Sequence, residues 1–260
     1  MTVPAAPIPA PIPDWPCQPI LHAPWQAVTR GEAGRALELL DAHQNREGLH
    51  RICLTHDVLA MRGLALPFYG GERLYEAMLR PRDGGPVMIL PFLVPGAMTA
   101  LNGAAREDTG DGSVTVLNFT SAPIHARNEG RLHLDSLEDA QAYLRFFCAY
   151  VWGDEGGFWV VDDLDRLPWR ADQDEAARRD LLGQAAGRIG PATIRPAAED
   201  GFEAHIVVCY GAALFAADMH ITASGSIEMT DDDPLVENPL PMVPDRREGP
   251  FRLLEEETTP

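Results

Sequence analysis

A strongly apolar helix is predicted for residues 137–151, and it limits the ways in which this chain can fold. Ser136 supplies an N-cap, and Asp139 follows three residues later. The apolar side chains cover more than half of the helix circumference. They are Leu137, Ala140, Tyr143, Leu144, Phe146, Phe147, Tyr150 and Val151. Because such a helix buries most of its sides, we expect it at the centre of the fold, with its aromatic rings as core.

The segments on either side of this helix have the patterns of antiparallel strands. Residues 73–80 and 87–94 are joined by Pro81-Arg82-Asp83-Gly84-Gly85, whose residue types favour a turn. A meander is predicted from strands at 202–210, 212–222 and 226–229. Hairpins without regular alternation of strand and helix predict an α+β fold, in which a mainly antiparallel sheet packs on the largely buried central helix.

Three further helices are predicted among these strands. Thr29 and Glu32 form a capping box, which predicts that the first helix begins there. Thr55 is a suitable cap for a short helix at 56–62. Apolar residues at helical spacing predict another helix at 175–189.

The composition of the two chain ends separates them from a single predicted domain at 25–230. Residues 1–24 carry eight prolines, each of which fixes φ and lacks an N–H, so we expect an extended, polyproline-like arm. Residues 231–260 are acidic and rich in proline, which predicts an extended tail.

The charge composition restricts the partners of the protein. There are 21 basic and 39 acidic residues, and the net charge of −18 repels phosphate backbones and anionic membrane surfaces. All the basic residues are arginine, so the chain has no lysine for a Schiff base or a phosphate-binding loop. We therefore expect no nucleic-acid partner and no membrane partner, and we predict no cofactor.

The cysteines and the hydropathy pattern favour a cytoplasmic location. Cys17, Cys53, Cys148 and Cys209 are far apart and form no Cys-x-x-Cys pair. The N-terminus lacks the positive start and the apolar core of a signal peptide. No apolar run reaches the ~18 residues that a transmembrane helix needs.

The best candidate for catalysis lies between a predicted strand and the central helix. There His125 can act as a general base and Ser121 as a nucleophile, with Asn128 stabilising an oxyanion. The alternative is a turn whose polar side chains satisfy backbone groups. The sequence contains no Gly-x-Ser-x-Gly, Gly-x-Gly-x-x-Gly or His-Glu-x-x-His motif.

A second candidate is a metal site formed by His50, Cys53 and His56, which are ligand types close together in the sequence. Their spacing matches no standard zinc pattern, so ordinary structural roles are the alternative.

These observations predict a non-enzymatic protein that binds another macromolecule through its sheet and its extended arms. Another protein is the expected partner, which would make this chain an accessory or assembly subunit. The alternative is a small-molecule hydrolase or transferase built around His125. That alternative requires a concave pocket in which Ser121 and Asn128 accompany the histidine.

Overall fold

The structure is a computed structural model, which describes residues 20, 25–46, 52–96, 114–170, 174–185, 187–236, 242–243 and 245–254. Its α-helices are α1 (Arg30–Arg46), α2 (Ile52–Thr55), α3 (Ala122–Asn128), α4 (Leu137–Tyr150) and α5 (Glu175–Ala185). Short 3₁₀ helices lie at Pro67–Tyr69 and Leu164–Arg166. The strands are β1 (Gln26–Ala27), β2 (His56–Leu66), β3 (Glu72–Pro81), β4 (Met88–Val94), β5 (Thr115–Val116), β6 (Trp152–Gly153), β7 (Gly156–Val160), β8 (Thr193–Pro196), β9 (Phe202–Tyr210), β10 (Ala213–Ile221), β11 (Ile227–Val236), β12 (Arg246–Glu248) and β13 (Phe251–Leu253).

The chain divides into two compact units, whereas the sequence analysis predicted one domain at 25–230. Among the described residues, the first unit contains those from 25 to 118 and from 246 to 254, and the second contains residue 20 and those from 119 to 245. Each unit has its own antiparallel sheet and its own hydrophobic cluster. A separate core for each sheet is what allows a chain to form two compact units.

The first unit is a sheet with the strand order β1-β2-β3-β4-β13-β12, and β5 also pairs with β4. The hairpin predicted at 73–80 and 87–94 is present as β3 and β4. Helix α1 begins at its predicted cap, where the Thr29 hydroxyl accepts the Glu32 N–H at 3.3 Å. The apolar side of α1 shares one buried cluster with the sheet, in which Leu40 and Phe92 are fully buried.

The helix predicted at 56–62 is wrong, because this segment belongs to strand β2. The Thr55 hydroxyl does not cap a helix there; it donates to the Ile52 carbonyl at 3.4 Å. Instead, β2 pairs antiparallel with β3 along nearly its whole length. Those long-range backbone hydrogen bonds outweigh the short local helical pattern, since tertiary context overrides weak propensities.

The second unit is a sheet with the strand order β11-β10-β9-β7-β6, and β8 also pairs with β9. The meander predicted from 202 to 229 is present as β9, β10 and β11, so an α+β fold with antiparallel sheets is confirmed. Helix α4 matches the helix predicted at 137–151. It begins where the Ser136 hydroxyl accepts the Asp139 N–H at 3.0 Å, and most of its side chains are buried.

The C-terminal residues differ from the extended tail predicted at 231–260. Residues 231–236 continue strand β11, which ends with Leu235 and Val236 buried in the cluster of the second unit. Farther on, Phe251 of β13 packs against the cluster of the first unit. These apolar side chains hold the segment in two sheets despite its acidic composition. The arm predicted at 1–24 lies outside the described residues, apart from Ile20.

The described helices are α1 to α5 and the two short 3₁₀ helices. None of them has both the length and the apolar character that crossing a membrane requires.

A buried polar network joins α3, α4 and the β10–β11 turn within the second unit. The Asn128 amide donates to the Tyr143 hydroxyl at 2.8 Å and to the Ser224 carbonyl at 3.1 Å. The Tyr143 hydroxyl donates in turn to the Gly225 carbonyl at 2.7 Å. Burial raises the pKa of Tyr143 well above its usual value, so the hydroxyl keeps its proton. Because each buried group has a partner, the network stabilises the fold.

Replacing Gly225 with alanine should destabilise the second unit strongly. Gly225 has a φ of 81°, and an added Cβ would lie 2.5 Å from the Tyr143 hydroxyl and overlap the Asn128 amide. We expect the free energy of unfolding to fall by about 2–4 kcal/mol, from the left-handed backbone and the overpacking together. Denaturant unfolding followed by tryptophan fluorescence measures this loss.

Gly187→Ala is the matched control for this prediction. Gly187 has a φ of 79°, but no atom lies within 4 Å of the position that its Cβ would occupy. The control should therefore lose only about 1 kcal/mol, from the backbone alone. Equal losses for the two variants would contradict the close packing at Gly225.

Candidate functional site

The candidate site lies on the sheet of the second unit, and it depends on the register of the β9–β10 hairpin. The loop is Gly211-Ala212, so that Tyr210 pairs with Ala213. Gly211 has a φ of 58°, which suits the first central residue of a type II′ turn. A two-residue loop fixes the register of the strands that it joins. Each β9 residue therefore has one defined partner in β10.

This register builds two rows of mainly polar side chains across four strands, in the order β8, β9, β10 and β11. The first row is Arg195, Glu203, His220 and Glu228. The second row is Thr193, His205, Asp218 and Asp231. Residues directly opposite each other in antiparallel strands share one face of the sheet and lie close enough to interact.

Ion pairs and hydrogen bonds connect neighbours within both rows. Arg195 Nη2 lies 2.6 Å from Glu203 Oε2 in the first row. In the second row, His205 Nδ1 lies 2.8 Å from Asp218 Oδ1, and these two side chains are 62% and 56% exposed. The contact at Nδ1 orients the imidazole and leaves Nε2 available for another group.

The members of the two rows on β8, β9 and β10 line an open groove of about 550 Å³, to which Thr230 of β11 also contributes. Glu228 and Asp231 continue the rows on β11. Farther along the strands, the same face of the sheet is apolar and covered. There Val207 and Cys209 belong to a cluster with Leu181 and Ala185 of α5. The groove therefore lies on the part of the face where the apolar residues of β9 and β10 give way to polar ones.

The buried cysteines do not supply a reactive group to the second unit. Burial raises the pKa of the Cys148 thiol to about 12, and it raises the pKa of the Cys209 thiol to about 12 as well. A thiol with such a pKa is almost entirely protonated at neutral pH, and the thiolate is the nucleophilic form. The chemistry available in the groove is that of imidazole, carboxylate, guanidinium and hydroxyl groups.

Ser121 and His125 lie one helical turn apart, whereas the side chain of Asn128 binds Tyr143 in the interior. Ser121 precedes α3, and its carbonyl accepts the His125 N–H at 2.9 Å, one helical turn later. The His125 ring packs on Phe147, with 5.8 Å between ring centroids. Asn128 is buried and binds Tyr143 in the network described above. The Asn128 amide therefore satisfies other polar groups of the fold, which was the alternative to catalysis. Catalysis by Ser121, His125 and Asn128 stays a prediction.

The predicted metal site includes one residue, His50, that lies outside the described residues. His56 Nδ1 lies 2.8 Å from the Thr55 hydroxyl, and its ring stacks on Phe251. Cys53 is half-buried. Within the described part of the chain, no three His, Cys, Asp or Glu side chains are grouped so as to hold a metal ion. A metal site that includes His50 stays a prediction.

The sequence analysis did not identify the two rows, although the sequence contains the information to find one pair in each. The second strand of the hairpin was predicted to begin at residue 212, which leaves a loop of one residue and no definite register. A type II′ loop at Gly211-Ala212 pairs residues equally distant from it. Counting outward from that loop brings His205 opposite Asp218.

The chain matches no protein-family model, no curated protein and no solved structure.

Two alanine variants should show that the rows are surface features whereas Asn128 is structural. We expect His205→Ala to change the free energy of unfolding by less than about 1 kcal/mol, because its hydrogen bond with Asp218 is exposed. Asn128→Ala should cost about 2–3 kcal/mol, because it leaves the Tyr143 hydroxyl and the Ser224 carbonyl with fewer partners. Urea unfolding measures both values, and a loss above about 2 kcal/mol for His205→Ala would contradict the exposed site.

Proposed function

We propose that this protein acts by binding another protein, as an accessory or assembly subunit, through the groove on the sheet of its second unit. The observation that supports this most is the open groove lined by polar side chains of the two rows, among them the exposed Arg195, His205 and Asp218. Non-obligate protein interfaces contain about as much polar area as the rest of a protein surface, together with direct hydrogen bonds. A groove of this composition can recognise a complementary polar surface.

The exposure of the groove favours binding over catalysis. Even an exposed ion pair contributes only about 0–1 kcal/mol to stability. The exposed contact between His205 and Asp218 can therefore be replaced by contacts with a partner at little cost. Catalytic electrostatics, in contrast, are strong in sites that exclude water. More than half of each of these two side chains is in contact with solvent.

The proline-rich segment 1–24 is a second contact region in this proposal. Proline-rich segments are extended before they bind, so they lose little conformational entropy when they lie on a partner. This segment also contains Ile8, Ile12 and Trp15, which are apolar side chains that a partner surface can bury.

Reversing charges in the groove should abolish partner binding. We expect tagged wild-type protein to capture a stoichiometric partner from its own host at moderate salt. The double variant Glu203→Arg with Asp218→Arg should recover at least about tenfold less of that partner, because it replaces two carboxylates of the rows with cations. Quantitative mass spectrometry of the captured material measures the difference.

The matched control makes the same two types of substitution elsewhere in the second unit. Glu129 and Asp180 are exposed and lie outside the groove, so Glu129→Arg with Asp180→Arg should retain the partner. A chain without residues 1–24 tests the contribution of the proline-rich segment. Equal recovery by the groove variant and the control variant would contradict binding at the groove.

A second candidate function, a small-molecule hydrolase or transferase around His125, is favoured by one observation. Phe119, two residues before Ser121, has a φ of 62°. A bulky residue in the left-handed region is strained, and such strain is concentrated at functional sites. The same conformation also has a structural explanation. The Phe119 carbonyl accepts the Trp152 N–H at 3.0 Å, and the two rings are 4.3 Å apart.

Substitutions at Ser121 and His125 test this second candidate. If a panel of ester and amide substrates reveals turnover, Ser121→Ala and His125→Ala should each lower kcat at least about 100-fold, since one supplies the nucleophile and the other the base. Turnover that persists in both variants would remove the candidate.

A further inference from the structure

We infer that the partner presents an extended basic segment, which lies along β11 and places two arginine or lysine side chains on the two rows. We also infer that this segment is released when the histidines of the rows become protonated. This partner chemistry and this regulation go beyond the proposed function and rest on it.

Negative charge exceeds positive charge in the two rows. The charged groups other than histidine are Arg195, Glu203, Asp218, Glu228 and Asp231. Glu203 and Asp218 already have partners within their rows. Among the described residues, no basic side chain forms an ion pair with Glu228 or Asp231. A cationic partner can therefore form new ion pairs with these two carboxylates on β11.

The register also places two carboxylates of the second row against each other. Asp231 is the β11 partner of Asp218, next to a bulge at Thr230. Like charges directly opposite each other in a sheet are destabilising. The contact between Asp218 and His205 relieves this repulsion from one side only. A basic side chain of the partner near Asp231 would relieve it from the other side.

Strand β11 is an edge strand that an extended segment can join. Among the described strands it pairs only with β10, so the backbone N–H and C=O groups of its other edge can accept a further strand. Its exposed carboxylates repel the β11 edge of a second copy of this chain, but they attract a basic segment. The charge on this edge thus selects which strand can pair with it.

The spacing of the two rows determines the spacing of the basic residues. Along β9 and β10 the rows are two residues apart, as Glu203 and His205 show on β9. On β11 a bulge at Thr230 adds one residue between Glu228 and Asp231, which still continue the same two rows. Two residues of a strand span about 7 Å. In an extended segment, side chains at positions i and i+2 lie on the same side with this spacing. The segment should therefore carry its two basic residues at alternate positions.

Both histidines lie among the carboxylates of the rows. His220 has Glu203 and Glu228 as its cross-strand partners, and His205 lies beside Asp218. Thr193, Arg195 and Thr230 are the other polar groups that face them in the groove. Histidine is the side chain whose charge normally changes between about pH 5 and pH 8.

Protonation of the histidines should therefore weaken the binding of a basic segment. With neutral histidines, one arginine and four carboxylates give the rows a net charge of −3. Two imidazolium groups reduce this charge to −1, and they repel the basic side chains directly. Acidification that protonates the histidines should then lower the affinity.

Fluorescent peptides of about eight residues, the length of an ordinary strand, test this inference with the full-length protein. One peptide carries two arginines at positions i and i+2 between threonine and valine, and a second has the same composition with its arginines adjacent. Fluorescence anisotropy at constant ionic strength should show tighter binding of the first peptide at about pH 7.5. At about pH 5.5, its affinity should be about five- to tenfold lower.

The variant His205→Gln with His220→Gln should bind the first peptide equally at the two pH values, while His133→Gln, outside the groove, should behave as the wild type. Three results would overturn the inference: no binding of the first peptide, equal binding of the two peptides, or a pH dependence that persists in the double glutamine variant. The capture experiment with the groove and control variants tests the proposed function separately. If capture depends on the groove but the peptides fail, only the inferred basic segment or its release is overturned.

Discussion

The register of the β9–β10 hairpin is the constraint on which the surface of the second unit depends. The two-residue loop Gly211-Ala212 pairs His205 with Asp218, and a slip of one residue would turn these side chains to opposite faces of the sheet. The same register places Cys209 opposite Leu214 in the cluster beneath α5. One tight turn therefore sets both the covered core of this face and the exposed groove beside it.

The elements that could be predicted from the sequence are those held by local interactions. The caps at Thr29 and Ser136 each join residues three apart, and the β3–β4 hairpin closes over a short turn. Strand β2 could not be predicted in this way, because its pairing with β3 decides its conformation. Local patterns do not indicate the two units either. Their sheets combine distant segments, and residues 119–245 of the second unit lie between β4 and β13 in the sequence.

The candidate sites show the same division between local and distant information. Motif analysis selected residues that are neighbours along the chain, such as Ser121 and His125. The groove instead combines residues from four strands, which become neighbours only through pairing. Asn128 illustrates the reverse case: it lies in a polar segment that resembles a catalytic motif, yet its amide binds the Ser224 carbonyl, 96 residues later.

Backbone NMR measures the central constraint most directly, because nuclear Overhauser effects between protons of opposite strands report which residues face each other. The account predicts cross-strand effects that join His205 to Asp218 and Glu203 to His220. Effects that instead join His205 to Ala217 or Met219 would show a register shifted by one residue. Such a shift would separate His205 from Asp218 and remove both the rows and the binding surface inferred from them.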